Sequence, residues 1–398
     1  MKESRGKKVL IIVENLPLPF DRRVWMEANT LVEAGYQVSI ICPKGKGFEK
    51  PYECINKIHI YRHSLPSEIS SAFGYIREYS VALYHEFRLA VKIKRKYGFD
   101  IIQICNPPDI LFLVTLWFKL FFRSKVIFDH HDLNPELFES KFNKRGFFYH
   151  ALKIAEKLTF KVSDLVISTN ESYKEVAIKR GGKKPEDVHV VRSGPDLQFF
   201  KQASVDASKK KGKKYLVGYL GVMGEFDGVD QLIKAADIII NEYKRLDIHF
   251  VLVGSGPCFD DLVKLSKDLN LESDVDFTGR VSDEELISTL SSCDICVNPD
   301  PVNPLNDKST MNKILEYMAL SKPIVQFDVT EGRRSAEGAS LYAKANDLYD
   351  FANKILELCD AKASLRTEMG EIGLARMTNQ LEWKYQKRKL LSAYQKLS

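Results

Sequence analysis

At 398 residues, 44% hydrophobic and 28% charged, the chain has the composition of an ordinary soluble globular protein. It is longer than one hydrophobic core usually serves, so two domains are expected. Its formal charge of +6 is uneven: residues 1–200 carry 32 Lys and Arg against 23 Asp and Glu, and the remainder carries 27 against 30. The basic first half points to an acidic partner, either an anionic bilayer or a phospholipid-linked acceptor. No aromatic–basic RNA motif accompanies it, so nucleic acid is not an expected partner.

Seven cysteines lie without paired spacing, and Met1-Lys2-Glu3-Ser4-Arg5 is not followed by the apolar core of a signal peptide. A cytoplasmic protein is expected, with the inner face of the membrane as a place where it works. Short apolar, β-branched runs then alternate with helical stretches, the pattern of βαβ units and parallel sheets. The first set of strands is expected at Lys8–Val13, Gln37–Cys42, Ile58–Arg62, Ile101–Cys105, Val126–Asp129, Leu165–Thr169 and Val188–Arg192.

Within that set, Leu83–Tyr97 is a helical stretch carrying Arg88, Lys92, Lys94, Arg95 and Lys96. Ile110–Phe122 is the greasiest run, but it is about a dozen residues long, short of the ~20 a spanning helix needs. It reads as a buried crossover helix. The alternative is an interfacial helix with Trp117, Phe118, Phe121 and Phe122 dipping into a bilayer surface. Ala203–Lys214 lacks apolar periodicity and reads as a flexible linker whose lysines are solvated, a phosphate or lipid patch being the alternative. The second set of strands is expected at Leu216–Leu220, Phe250–Val253, Val275–Thr278, Ile295–Asn298 and Pro323–Phe327. Cys293 and Cys296 are spaced like a redox pair but fall at one of these strands, where cysteines serve as small core hydrophobes.

Chemistry gathers in the second half. Asp307-Lys308-Ser309-Thr310-Met311-Asn312 reads as a polar loop entering a helix, with Lys313 and Glu316 three residues apart on one face. Free N–H groups and the dipole at such a helix start favour an anion, and a carboxylate one turn on can accept from a sugar diol. The outline is a nucleotide-sugar cradle; the plain alternative is an amphipathic helix with a solvated Glu316. Val253-Gly254-Ser255-Gly256 is a strand running into a glycine turn that lets backbone approach a phosphate or sugar.

Tyr219-Leu220-Gly221, Val253-Gly254-Ser255-Gly256, Phe277-Thr278-Gly279-Arg280-Val281, Asn298-Pro299 and Lys313…Glu316-Tyr317-Met318-Ala319 follow one another in a set order. In that order and spacing the chain resembles the retaining GT-B glycosyltransferases of family 4, particularly bacterial ones that build surface polysaccharides. The resemblance implies an α/β fold of two facing Rossmann-like domains with a cleft between them. The expected division is 1–199 for the acceptor, 200–380 for the donor, and a helix in 381–398 packing back on the first domain.

It also implies a hexosyl or N-acetylhexosaminyl transfer with retention from a nucleotide-sugar, most often UDP, to a lipid-linked or saccharide acceptor, without metal or other cofactor. Leaving-diphosphate charge is stabilised electrostatically, and domain closure excludes water. Glu316 would hold the ribose, Lys313 and backbone the diphosphate, and Arg280 and Val281 would lie by the base. Gly221, Gly254, Ser255, Asp307, Lys308, Ser309, Thr310, Met311 and Asn312 complete the donor set. His131 would line the reaction centre, with Asp21, Arg22, Arg23, Asn106, His130 and Asp132 on the acceptor side. Arg22 and Arg23 are read as lying in the loop after the first strand, placed to meet a phosphate.

Three departures from the family pattern stand out. Its Glu-x7-Glu pair is here Lys308 and Glu316; its Arg/Lys diphosphate clamp is here Val222 and Asp227; and its first glycine pair is replaced by Pro17–Arg23. Charge on the phosphates must then come from Lys308, Lys313, Arg333, Arg334, Arg22 or Arg23. Two rivals remain: a nucleotide-sugar 2-epimerase on the same fold, and a non-catalytic nucleotide-sugar-binding partner of a synthase.

Overall fold

The computed structural model describes residues 7–65, 72–142 and 144–397, so the expectation about Met1–Arg5 lies outside the described residues. The chain divides into two compact units: residues 1–193 with 386–398, and residues 194–385.

In the first unit, strands β1 (Lys8–Val13), β2 (Gln37–Pro43), β3 (Tyr52–Ile55), β4 (Ile58–His63), β5 (Ile101–Cys105), β6 (Lys125–His130), β7 (Leu165–Ser168) and β8 (Val188–Val190) form one sheet. Their order is β3-β4-β2-β1-β5-β6-β7-β8, parallel except where β3 meets β4. Runs such as Leu10-Ile11-Ile12-Val13 are buried on both faces, as parallel strands under two helical layers must be. β3 was not expected. It closes a hairpin through Asn56 and Lys57, both at positive φ, 51° and 65°. The usual hairpin signal is a glycine at such a turn, and a lysine in the second place hides it.

One helical layer packs Leu89, Ile93, Val114, Phe118 and Phe160 on the sheet, from the helices Ala72–Lys96, Phe112–Phe122 and Phe147–Val162. Phe112–Phe122 is the crossover from β5 to β6. It buries Phe112, Val114, Thr115 and Phe118, while Trp117, Phe121 and Phe122 stay exposed. Among the described residues no helix is long and apolar enough to cross a membrane. The terminal helix Trp383–Lys396 enters the first unit from residue 386 on. Its Tyr394 hydroxyl hydrogen-bonds the Gln103 side chain and its ring packs edge-on against Tyr36.

In the second unit, β9 (Tyr215–Leu220), β10 (Ile248–Val253), β11 (Val275–Gly279), β12 (Ile295–Asn298), β13 (Ile324–Phe327) and β14 (Ser340–Ala343) form an all-parallel sheet, ordered β11-β10-β9-β12-β13-β14. The unexpected member, β14, is a four-residue edge strand whose Leu341 and Tyr342 are only half-buried, too weak a pattern to stand out alone. Cys293 and Cys296 are buried and unbridged, as core residues are.

The lysine run is not a free linker. Lys209, Lys210, Lys211 and Lys213 pair with Glu285, Asp294, Asp276 and Asp274 at 2.6–2.8 Å, and Ala207–Lys210 forms a helical turn. The acids come from 60 to 90 residues away in sequence, which is why the run looked unpartnered. Its charge is spent, so neither the solvated linker nor the phosphate patch describes it.

Candidate active site

In open parallel sheets, ligands bind beyond the carboxyl ends of the strands where the order reverses. In the second unit that point lies between β9 and β12. The loop after β9 and the loop after β10 touch there: a side chain on Gly254, at φ 137°, would strike the Gly221 carbonyl oxygen at 1.8 Å. Gly256 is likewise pressed on the Met223 backbone. Only glycine allows these loops to lie back to back, and Gly221, Gly254 and Ser255 are therefore placed together at the strand ends.

Across the same point, Lys313 rises from the helix Asn312–Ala319. Its ammonium lies 3.0 Å from Asp300 after β12, 4.0 Å from Asp227 after β9, and 4.9 Å from the centre of the Tyr219 ring. Burial opposes a charge on Lys313, but Asp300, Tyr219 and Asp227 outweigh it and raise its pKa. Burial also raises the carboxyls of Asp300 and Asp227. The positive charge absent at position 227 thus arrives from the neighbouring helix, already balanced by two acids. Asp300 is a site residue that sequence reasoning missed; its signal was a lone acid just past a strand end.

The helix start carries no side-chain cap, since Met311 stands at the N-cap. Glu316 follows Lys313 by one turn and is half-buried. Lys308, Ser309 and Thr310 lie half-buried in the loop ahead of the helix; Ser309 donates to the Leu305 carbonyl. Arg280 is exposed and Val281 half-buried beyond β11. Asp307 is committed elsewhere, its carboxylate accepting from Thr330 N at 2.8 Å at the start of the next helix. Arg333 and Arg334 are also no reserve of phosphate charge. Arg333 is bonded to Asp328 at 2.8 and 2.6 Å and stacked on Tyr342, and Arg334 is bonded to Glu331 at 2.8 Å.

The first unit reverses order between β1 and β5, and there the acceptor-side residues separate. Asp21 caps the helix Arg22–Glu33, accepting from Val24 N at 3.1 Å. Arg22 and Arg23 therefore lie in the first turn of that helix, not in the loop. Arg22 is exposed. Arg23 points inward and is saturated, by Asp129 at 2.8 Å, Glu27 at 3.1 Å, the Val191 carbonyl at 2.8 Å and Ser193 at 3.0 Å. A guanidinium so fully engaged cannot also grip a phosphate, so its role is to neutralise a buried acid pair. Burial would raise the Asp129 carboxyl, yet Arg23 and His131 hold it well below the usual range. Glu27, the second acid, is pushed up to about 8 by burial and by Asp129.

Asn106 shapes the loop after β6: its side-chain oxygen accepts from His131 N at 2.7 Å and Asp132 N at 3.2 Å. The two histidines part there. His131 is half-buried, with Nε2 2.7 Å from Asp129 Oδ2 and 3.0 Å from Arg23 Nε. Burial lowers its pKa, but Asp129 outweighs burial and the net shift is upward. His130 turns into the core among Phe128, Phe160 and Tyr173, and burial drives its pKa down to about 3. It is a neutral core ring and no acceptor residue. Asp132 is half-buried, its carboxyl raised by burial.

Cys105, Asp129 and His131 bring three possible metal-ligand atoms within 4.8 Å of one another. They do not fit an ion: burial and the neighbouring acids keep the Cys105 thiol protonated, and Asp129 is bound by Arg23. A second acidic cluster went unforeseen. Glu14 follows β1, His63 ends β4, and Glu86 lies on the helix Ala72–Lys96 with an oxygen 4.0 Å from His63 Nε2. Among the described residues neither Glu86 oxygen has a hydrogen-bond partner.

Two Rossmann-like α/β units with these sheet orders and glycine-lined strand ends define the GT-B class of protein. Residues 21–199 match the family model described as Glycosyltransferase Family 4, and residues 214–361 match Glycosyl transferases group 1. The chain belongs to the GT-B glycosyltransferases of family 4 type. An uncharacterized glycosyltransferase of Methanocaldococcus jannaschii is 31% identical over 38% of this chain and 41% of its own length. The chitobiosyldiphosphodolichol beta-mannosyltransferase of Kluyveromyces lactis is 23% identical over 74% of this chain and 70% of its own. The chain spans less than half the length of most curated relatives that it matches. Among solved structures, sucrose-phosphate synthase from Thermosynechococcus elongatus superposes with a TM-score of 0.79 at 17% identity, covering 98% of this chain and 99% of that one. Anabaena HepE in complex with UDP-glucose gives 0.70 at 14%, covering 98% and 99%.

Proposed function

We propose that the chain transfers a sugar from a nucleotide-sugar, with UDP as carrier, to a lipid-linked or saccharide acceptor in surface polysaccharide synthesis. The configuration is retained, and no metal or other cofactor takes part. The observation that carries the reading is the junction in the second unit. There the touching glycine loops, the uncapped helix start and the buried Lys313 ammonium meet where a diphosphate needs donors and positive charge. The UDP-glucose held by the HepE structure and the lipid diphosphate in the yeast relative's name support the donor and acceptor classes.

In this reading Glu316 accepts from the ribose hydroxyls, and Lys313 with the helix-start N–H groups stabilises the leaving diphosphate. His131, oriented by Asp129 and Asn106, lines the reacting sugar. The transferred group is a hexosyl or N-acetylhexosaminyl residue. The site works on the inner face of the membrane, where a lipid-linked acceptor is found.

The test is thermal stability with UDP, GDP, dTDP, ADP and CMP, on wild type and Glu316→Ala. A ligand bound only by the native state stabilises it by RT ln(1+[L]/Kd). A shift with UDP that Glu316→Ala abolishes is expected; a shift with GDP alone changes the donor class. One observation favours a second reading: Lys313 is balanced by Asp300 and Asp227, and the family clamp is gone. Nucleotide binding without turnover on any lipid or saccharide acceptor would make the chain a nucleotide-sugar-binding partner of a synthase.

A further inference from the structure

Three helices of the first unit present an apolar outer face. On Phe112–Phe122, Trp117, Leu120 and Phe121 are 45, 67 and 63% exposed. Phe147 and Ile154, on Phe147–Val162, are 81 and 61% exposed. Such large side chains face water singly on most surfaces, but here they run together. The Trp117 ring lies 4.1 Å from Phe121 and 6.1 Å from Phe87 of the helix Ala72–Lys96. An apolar groove of about 300 Å³ extends the surface along Phe112, Phe147, Ile154 and Leu158.

The charge around this face is predominantly positive, the exception being Asp164, which is paired with Lys119 at 2.9 Å. Residues 84–96, 112–125 and 147–162 carry five, three and three Lys and Arg. Their only acids, Glu86 and Glu156, are buried. A second groove, about 560 Å³, combines Tyr84 and Phe87 with Arg88, Lys92, Arg95 and Lys96, so apolar and cationic groups line the same depression.

We propose that this outer face docks on the surface of an anionic lipid bilayer. Trp117, Leu120, Phe121 and Phe147 would enter the headgroup–acyl boundary, with the basic residues on the lipid phosphates. Aromatic and aliphatic side chains at the centre with cations at the edge are what an interfacial protein needs. A second copy of this chain fits poorly, because a two-fold contact through this face would set its basic residues against themselves. An acidic protein would satisfy the charge but not so broad and open an apolar area. The surface lies within the first unit, and its docking does not depend on which sugar or nucleotide the second unit takes.

The experiment is flotation of the full chain with phosphatidylcholine vesicles, with and without phosphatidylglycerol, in the absence of nucleotide. Trp117 fluorescence is read alongside in a Trp25→Phe/Trp383→Phe background, since the chain has three tryptophans. Wild type should float only with the anionic vesicles, less so at high salt, with a blue-shifted Trp117 quenched by brominated acyl chains. Lys92→Gln/Arg95→Gln/Lys96→Gln should lower the partition coefficient about 100-fold, at roughly fivefold per surface cation. Trp117→Ser/Leu120→Ser/Phe121→Ser alters only exposed positions and should lower it at least as much. Retained thermal stabilisation by UDP in both variants would show the fold and donor site intact, which separates failure here from failure of the sugar-transfer reading. No flotation of wild type, equal flotation of wild type and variants, or a dimer abolished by the serine variant would each overturn the proposal.

Discussion

Replacing Glu86 by Gln should remove one share, roughly 3 kcal/mol, of the stability lost on raising the pH from 5 to 7, while Glu14 and Glu27, raised alike, keep theirs. Glu86 is fully buried on the helix Ala72–Lys96, and among the described residues its oxygens have no hydrogen-bond partner. Burial first, and the Glu14 charge second, push its pKa up to about 8. Glu14 is raised to about 8 as well, by burial and by Glu78. The folded state therefore keeps a proton that the unfolded chain has released above the ordinary carboxyl value of 4.5. The native state binds more protons in that window, so stability falls as pH rises, by about 1.4 kcal/mol per pH unit per retained proton. From pH 5 to 7 the Glu86 share is roughly 3 kcal/mol.

His63 works in the opposite sense. Burial lowers its pKa to about 4, so folding excludes a proton between there and its ordinary value, and stability rises with pH over that range. The difference between wild type and Glu86→Gln cancels His63 and every other shared group. The assay is urea unfolding at pH 5, 6, 7 and 8 in a Trp383→Phe background. The chain has three tryptophans, so the signal then comes from Trp25 and Trp117, both in the first unit. The gap between the two proteins should widen in favour of the variant by roughly 3 kcal/mol from pH 5 to 7. Parallel pH profiles would refute the reasoning, because they would mean Glu86 ionises in the folded state as easily as in the unfolded one.

Asp227→Asn should tighten UDP binding at least tenfold by calorimetry, because its carboxylate lies 4.0 Å from the Lys313 ammonium that the diphosphate needs, while Lys313→Met should weaken it by a similar factor. Arg23→Ala should destabilise the first unit by about 3–5 kcal/mol in urea unfolding, since Asp129 and Glu27 are left as uncompensated buried acids. Arg23→Lys should recover little of this, lacking the fork that reaches Asp129, Val191 and Ser193 together. His130→Phe should cost less than about 1.5 kcal/mol and leave turnover unchanged, as the ring already sits neutral among aromatics.

Much of the architecture is legible in the chain alone, because parallel strands buried on both faces must be unbroken β-branched runs. Leu10–Val13, Ile101–Ile104 and Phe250–Val253 could hardly be anything else once helical stretches separate them. The strands that escaped notice, Tyr52–Ile55 and Ser340–Ala343, are short edges whose residues alternate weakly. In the site, the glycine turns and the Lys313–Glu316 helix could be read directly, since their spacing is local. Which charges remain available could not be. Adjacent helical residues diverge by about 100°, so Arg22 faces solvent while Arg23 is spent on Asp129. His130 and His131 part at the end of β6, one into the aromatic core and one toward Asp129. Strand order, not sequence distance, brings Asp300 and Asp227 to Lys313 and four acids to the lysine run. A charge acquires its role from the groups folded against it, and that pairing is decided only by the tertiary structure.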